Sequence, residues 1–250
     1  MRQAYCVLGS LLLATSCADL AQPTREQART YIDALIVQPE LGKYAELEVA
    51  NTSAIALVDG TNPYVGLRVY PHQPKVNSGK RAEISIDYPY SPGDSVCYSW
   101  KVMLPEVFPS DAPANRWWVM AQWHDQPNPN NGETWNGFPS HSPALLLGYG
   151  MKNAADYLLF QYGVSSLTPI GLVPLSRGQW LRIRMEIHWS QGADGSASLY
   201  LDDSAAPAFA AHGPNMFNAF QHYFKLGQYR HPDINTENWV YIDEISIMKQ

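Results

Sequence analysis

At 250 residues the chain suits one large domain, and a hydrophobic content of 46% is enough for a sizeable core. Aromatics at 12% against only 16% charged residues, with 19 Pro and 17 Gly spread along the chain, argue against a helical bundle and for a β-rich extracellular domain. The net charge of −6 argues against nucleic acid as a partner, yet leaves room for a polyanion held in a local basic groove.

The chain opens with "MRQAYCVLGSLLLATSCADLAQ", in which Arg2 precedes a short apolar run, Val7 to Ala14, and then small residues. The run is too short for a membrane span, and residues 1–21 read as an export signal. Two processing readings stay open. One cuts after Ala18, and the other treats "ATSC" as a lipobox whose Cys17 becomes a lipidated N-terminus. The protein is thus expected to be secreted or to be a cell-surface or periplasmic lipoprotein, touching a membrane only through Cys17. Cys97 is the single cysteine after that region, so neither a disulfide framework nor a Cys-based zinc site is expected.

Residues 22–250 are expected to form one domain, a monomer. Thr24 with Gln27 is a capping-box pair, and Ala28, Tyr31, Ile32 and Leu35 recur at helical spacing, which predicts a short helix over 25–36. From residue 45 the period is two. "RAEISID", "SVCYSWKVML", "RWWVMAQWH", "WLRIRMEIHW", "ASLYLDD" and "WVYIDEISIM" all read as strands between turn residues, predicting an antiparallel two-sheet sandwich. Residues 126–143 have no period, yet carry Trp135, Phe138 and His141, so they read as a functional loop.

Alternate strand residues share a face. Arg81 and Glu83 stand opposite Ala82 and Ile84. Gln122 and His124 stand opposite Trp117, Val119, Ala121 and Trp123. Lys225, Gly227 and Tyr229 stand opposite Phe224 and Leu226. If the three polar rows meet on one sheet they form a site, with Gly227 leaving room for a bulky chain. The chain has no glycine-rich phosphate loop, no G-x-S-x-G elbow and no HExxH. The E-x-D-x-x-E spacing of sandwich glycosidases is missing too. Elimination from a uronic acid suits the rows better. Its C5 hydrogen becomes removable once cationic or amide donors such as Arg81, Gln122 and His124 neutralise the neighbouring carboxylate. A phenol can then protonate the leaving O4, and Lys225 and Arg230 would bias Tyr229 toward phenolate. Two other readings remain open here. One is a carbohydrate-binding module using Trp118, Trp135 and Phe138, and the other is a glycosidase using Glu83 and Glu186.

At "KRAEIS" (80–85), "VMAQWHD" (119–125), "YFKLGQYR" (223–230) and "VYIDEISI" (240–247) the sequence resembles the heparin-lyase-like polysaccharide lyases, a group that includes heparin lyase I and the smaller glucuronan lyases. The resemblance covers roughly residues 45–250 and implies a β-jelly-roll that binds an acidic polysaccharide. It places His124 and Tyr229 at catalytic positions, and Arg81, Gln122 and Lys225 at substrate-carboxylate and subsite positions. Glu83, Arg230, Trp135 and His141 join them as substrate-binding candidates. The chemistry needs no cofactor. A structural calcium found in several members would look to Asp202, Asp203 and Asp243 for ligands. The low Lys and Arg content, 17 residues in all, favours an unsulfated uronan over heparin.

Overall fold

The computed structural model describes residues 22–250 apart from Asp59 and Ser78. The expectations for residues 1–21, Cys17 included, lie outside the described residues. One helix, α1 (Arg25–Leu35), starts at the capping box read from the sequence: the Thr24 hydroxyl accepts from the Gln27 amide, and the Gln27 side chain accepts from the Thr24 amide. Its apolar stripe buries Ala28, Ile32 and Leu35. Arg29 ties it to the carbonyls of Gly42 and Ala45.

The rest is a jelly-roll sandwich of two seven-stranded antiparallel sheets. The first runs in the order β1 (Ala45–Val49), β4 (Lys80–Ile86), β13 (Tyr223–Arg230), β6 (Trp118–His124), β7 (Leu145–Lys152), β8 (Ala155–Tyr162) and β9 (Thr168–Leu175). The second runs β12 (Phe209–His212), β11 (Ser196–Leu201), β10 (Leu181–His188), β5 (Ser95–Met103), β14 (Asn238–Lys249), β3 (Tyr64–Val69) and β2 (Ile55–Val58). The core fills the space between them. Tyr98 and Trp100 of β5 meet Trp123 of β6 and Phe224 of β13, with the Phe224 ring 4.8 Å from Trp123 and 5.3 Å from Trp100. Each such aromatic pair contributes about 0.5–1.5 kcal/mol beyond area burial.

Two rows depart from strict alternation. In β6, Ala121 pairs with the inward Leu226, but Val119 pairs with Tyr229, so a bulge at Met120 turns the strand over. Trp118 therefore lies in the core, while Trp117, expected there, is 44% exposed. Gly227 is the second departure. Its φ is +142°, and a Cβ would sit 2.3 Å from the Ala82 carbonyl oxygen and 2.9 Å from Leu67. Glycine is required by the backbone at that bulge, and the space its missing side chain leaves is interior, so it makes no room for substrate.

Candidate active site

The three polar rows occupy neighbouring strands. β13 lies between β4 and β6, and the register pairs Lys225 with Gln122, Tyr223 with His124, Gly227 with Glu83 and Tyr229 with Arg81. On the outer face of this sheet is a groove of about 950 Å³. Arg81, Lys225, His124 and Tyr223 line its floor, Glu48 of β1 one side, and Trp135, Phe138 and Ser140 of the 126–143 loop another.

At the centre of the floor two cations meet two carboxylates. Arg81 Nη1 lies 3.1 Å from both Glu48 Oε2 and Glu83 Oε2, and Lys225 Nζ lies 2.7 Å from Glu48 Oε1. Gln122 Nε2 donates to Glu83 Oε1 at 2.9 Å, and Arg81 Nη2 donates to the Asn77 carbonyl at 3.1 Å. Glu83 is fully buried, and that burial raises its carboxyl above the usual range, against the pull of Arg81 and Lys225. Burial pushes Glu48 the same way, but Lys225 and Arg81 together outweigh it and hold the carboxyl low. Glu83 is thus a brace that aims Arg81 and Gln122 from below. Glu48 faces the groove and was missed in the sequence, although the alternation of "AELEV" places Glu46 and Glu48 on one face of β1.

His124 stands at the end of β6 beside the loop. Its Nδ1 is 3.0 Å from the Asp125 carbonyl oxygen and 2.7 Å from Asp125 Oδ1, while Nε2 is 3.0 Å from the His141 carbonyl oxygen. The Tyr223 ring stacks on it with centroids 5.6 Å apart and planes 9° from parallel. Lys225 Nζ lies 4.5 Å from the Tyr223 ring centre. Burial pushes the Tyr223 phenol well up, and Arg81 opposes this only in part, so the hydroxyl keeps its proton at neutral pH.

Tyr229 shares the face of Tyr223 but sits six residues further along β13, about 20 Å away. There it is enclosed by the Arg81 guanidinium, 4.0 Å from its ring centre, and by Trp117, edge-on at 4.7 Å. Gly79 lies so close to the ring that a Cβ would fall 2.1 Å from it. The phenol that pairs with and stacks on His124 is thus Tyr223, while Tyr229 stands beside Arg81 further along the same face. Arg230 is corrected. It points into the interior, fully buried, held by Asn238 and Thr236 and stacked 4.8 Å from Trp118, so it meets neither Tyr229 nor the groove. Of the two loop candidates Trp135 lines the groove, and His141 lies behind it beside His124 and Asp125. His141 stacks on Phe217 at 3.8 Å, and Trp135, 63% exposed, lies 6.4 Å from Tyr223.

Of the calcium candidates, Asp202 accepts from the Arg182 amide and Asp243 from the Glu244 amide. Among the described residues, the three side chains whose ligand atoms gather within 4.8 Å are His124, Asp125 and His141. Glu186, the second carboxylate of the glycosidase reading, lies on β10 of the other sheet, bound to Arg184 and Tyr200, so it cannot pair with Glu83.

A family model described as polysaccharide lyase matches residues 46–246. The chain belongs to the polysaccharide lyase family. No curated protein matches this lyase in sequence. Among solved structures it is similar to an endo-β-1,4-glucuronan lyase from the fungus Trichoderma reesei, at 16% identity and a TM-score of 0.53 over 81% of this chain and 86% of that one. It is similar to an alginate lyase from Chlorella virus, at 10% identity and a TM-score of 0.56 over 88% and 97%. The catalytic domain of a family 131 glycoside hydrolase from Coprinopsis cinerea has the same sandwich, at 10% identity and a TM-score of 0.54 over 82% and 81%. At these identities the likeness is one of fold, and it is the family match that sets the lyase apart from binding modules and hydrolases.

Proposed function

We propose that the enzyme cleaves an unsulfated, 4-linked polyuronate of the glucuronan type by β-elimination, with His124 and Tyr223 as its acid/base pair. The observation that carries this is the direct cross-strand pairing of His124 with Tyr223 on the floor that also presents Arg81 and Lys225. Arg81, Lys225 and the Gln122 amide take the C6 carboxylate of the uronate, which makes its C5–H acidic enough to remove. His124 accepts the C5 proton at Nε2, the substrate replacing the His141 carbonyl there. The C4–O4 bond breaks as C4=C5 forms, and Tyr223, kept protonated by burial, gives its proton to O4. In a glucuronan the C5 hydrogen and O4 lie on opposite faces, which calls for two groups.

The groove also speaks to the polymer. Lys43, Arg81 and Lys225 are matched on its lining by Glu46, Glu48 and Asp87. A balanced lining suits one carboxylate per sugar and would repel a polysulfated chain. Residues 1–21 we read as an export signal, which delivers the enzyme to an extracellular polymer either free or anchored at Cys17.

The test is Tyr223→Phe beside Tyr229→Phe on a polyuronate panel, followed by absorbance of the unsaturated product. Loss of the Tyr223 hydroxyl should lower turnover by about 10²–10⁴-fold, while Tyr229→Phe, remote from His124, keeps activity within about tenfold. A folded Tyr223→Phe enzyme with the parent rate would overturn the assignment.

A further inference from the structure

We propose that His124, Asp125 and His141 form a binding site for a borderline divalent transition ion such as zinc, and that occupancy silences the lyase. The inhibitory half rests on the catalytic role given to His124 above, whereas the site itself does not.

Asp125 is a carboxylate whose side chain is only 2% exposed. A buried carboxylate needs donors or a cation. Its two oxygens instead face two imidazole nitrogens: Oδ1 lies 2.7 Å from His124 Nδ1 and Oδ2 lies 3.2 Å from His141 Nε2. Short as it is, the first contact is not aligned for donation, and Oδ1 has no hydrogen-bond partner.

The far nitrogens of both rings are accounted for. His124 Nε2 sits 3.0 Å from the His141 carbonyl oxygen, and His141 Nδ1 sits 3.2 Å from the Ser142 carbonyl oxygen. His124 Nδ1 also sits 3.0 Å from the Asp125 carbonyl oxygen, so this ring faces an acceptor at both nitrogens and can hold its hydrogen at either one. A carbonyl only accepts, so His141 Nδ1 carries that ring's hydrogen and its Nε2 lone pair is turned toward Asp125 Oδ2. The two carboxylate oxygens, that lone pair and His124 Nδ1 thus gather around one point, where an ion can take the place of a hydrogen on His124 Nδ1. Histidine ligands of metals show this same division, with one nitrogen on the ion and the other donating to a backbone carbonyl.

The rings are nearly parallel, 9° apart with centroids at 5.5 Å, and all ligand atoms lie within 4.8 Å of one another. Bonds of about 2.0–2.2 Å to nitrogen and oxygen then need a closure of roughly an ångström. His141, on the loop and 27% exposed at its side chain, is the ligand nearest solvent and the one that would close. Two imidazoles and one carboxylate with a fourth position left to water suit zinc, and bind cobalt in the same geometry. His222, the next ring, is not a ligand: its Nε2 accepts from the Phe217 amide and its Nδ1 donates to the Phe220 carbonyl.

A metal on Nδ1 leaves Nε2 with its hydrogen, so His124 can no longer accept the C5 proton. Zinc should therefore inhibit, and a chelator should restore activity.

The deciding experiment titrates the purified full chain with cobalt alone and follows its visible absorption, a readout that needs no turnover. One equivalent should bind with the intense bands of a four-coordinate ion, and zinc should displace it. His141→Ala and Asp125→Asn, checked for folding by circular dichroism, should each weaken binding at least about tenfold. The loop variant stays informative if the buried Asp125→Asn fails to fold. No stoichiometric binding, or binding that survives in a folded His141→Ala protein, would overturn the site. Binding without inhibition would keep the site, overturn the silencing and remove His124 from the role of base.

Discussion

Glu83 offers a quantitative test of how the site is held. Its carboxylate is fully buried and receives Arg81 Nη1 at 3.1 Å and Gln122 Nε2 at 2.9 Å. Glu83→Ala strips both partners: Gln122, 4% exposed, keeps an unanswered amide, and Arg81 loses one of its two carboxylates. Breaking a buried charged network by removing one member costs about 3–5 kcal/mol, which in a domain of this size lowers Tm by roughly 6–20 °C. Glu83→Gln should behave differently. The amide keeps the shape and one accepting oxygen, and burial already raises the carboxyl, so the fold gains little from its charge. The expected cost is within about 1 kcal/mol of the parent. The pH dependence follows. A carboxyl whose folded pKa is raised contributes fully below the ordinary carboxylate range and loses that contribution as pH rises through the raised value. Glutamine mimics the protonated form permanently, so Glu83→Gln should compare better with the parent at pH 7 than at pH 4. Urea denaturation of the three proteins at both pH values measures this. A Glu83→Ala protein within about 1 kcal/mol of the parent, or a Glu83→Gln protein as unstable as it, would refute the bracing role.

His222 gives the opposite pH effect. Burial holds its imidazole down to about 4 from 6.5, so its contribution is complete above pH 6.5 and fades as pH falls toward 4. About 3 kcal/mol of stability should be lost across that window, and His222→Gln should flatten the loss in a urea series from pH 7 to 4. Trp135, 63% exposed on the loop, should matter for binding and not for folding. Trp135→Ala is expected to raise KM on long polymer while leaving the unfolding midpoint within about 1 kcal/mol of the parent, and an unchanged KM would remove the loop from substrate binding.

The sandwich was legible because the strands alternate cleanly: Val96, Tyr98, Trp100 and Val102 are buried as their spacing says. The meeting of the three polar rows was legible for the same reason. Two bulges were not, since a one-residue insertion leaves no mark in composition; the one in β6 turns the strand over, whereas β13 keeps Tyr223, Lys225 and Tyr229 on one face. Trp117 and Trp118 changed places for that reason. Tyr223 was within reach of the sequence. "Q-x-H" run antiparallel to "Y-x-K" sets Gln122 on Lys225 and His124 on Tyr223, but that takes an assumption about which strands are neighbours. Glu48 and Asp125 needed the fold itself, because one reaches the site from an edge strand and the other closes a loop onto it.

Gln228 and Arg230 continue the inward row of Phe224 and Leu226, and Gln228 Nε2 donates to the carbonyls of Leu67 and Asn238 in the opposite sheet. β13 is thereby pinned through the thickness of the sandwich as well as along its two edges. Such a pawl forbids the one-residue slip that would turn Tyr223 and Lys225 into the core and bring Phe224 to the groove. A polymer dragged along the floor pulls on this strand lengthwise, and the load passes through Gln228 to β3 and β14. The lyase can thus let a long chain move over the groove floor without the strand beneath it moving too.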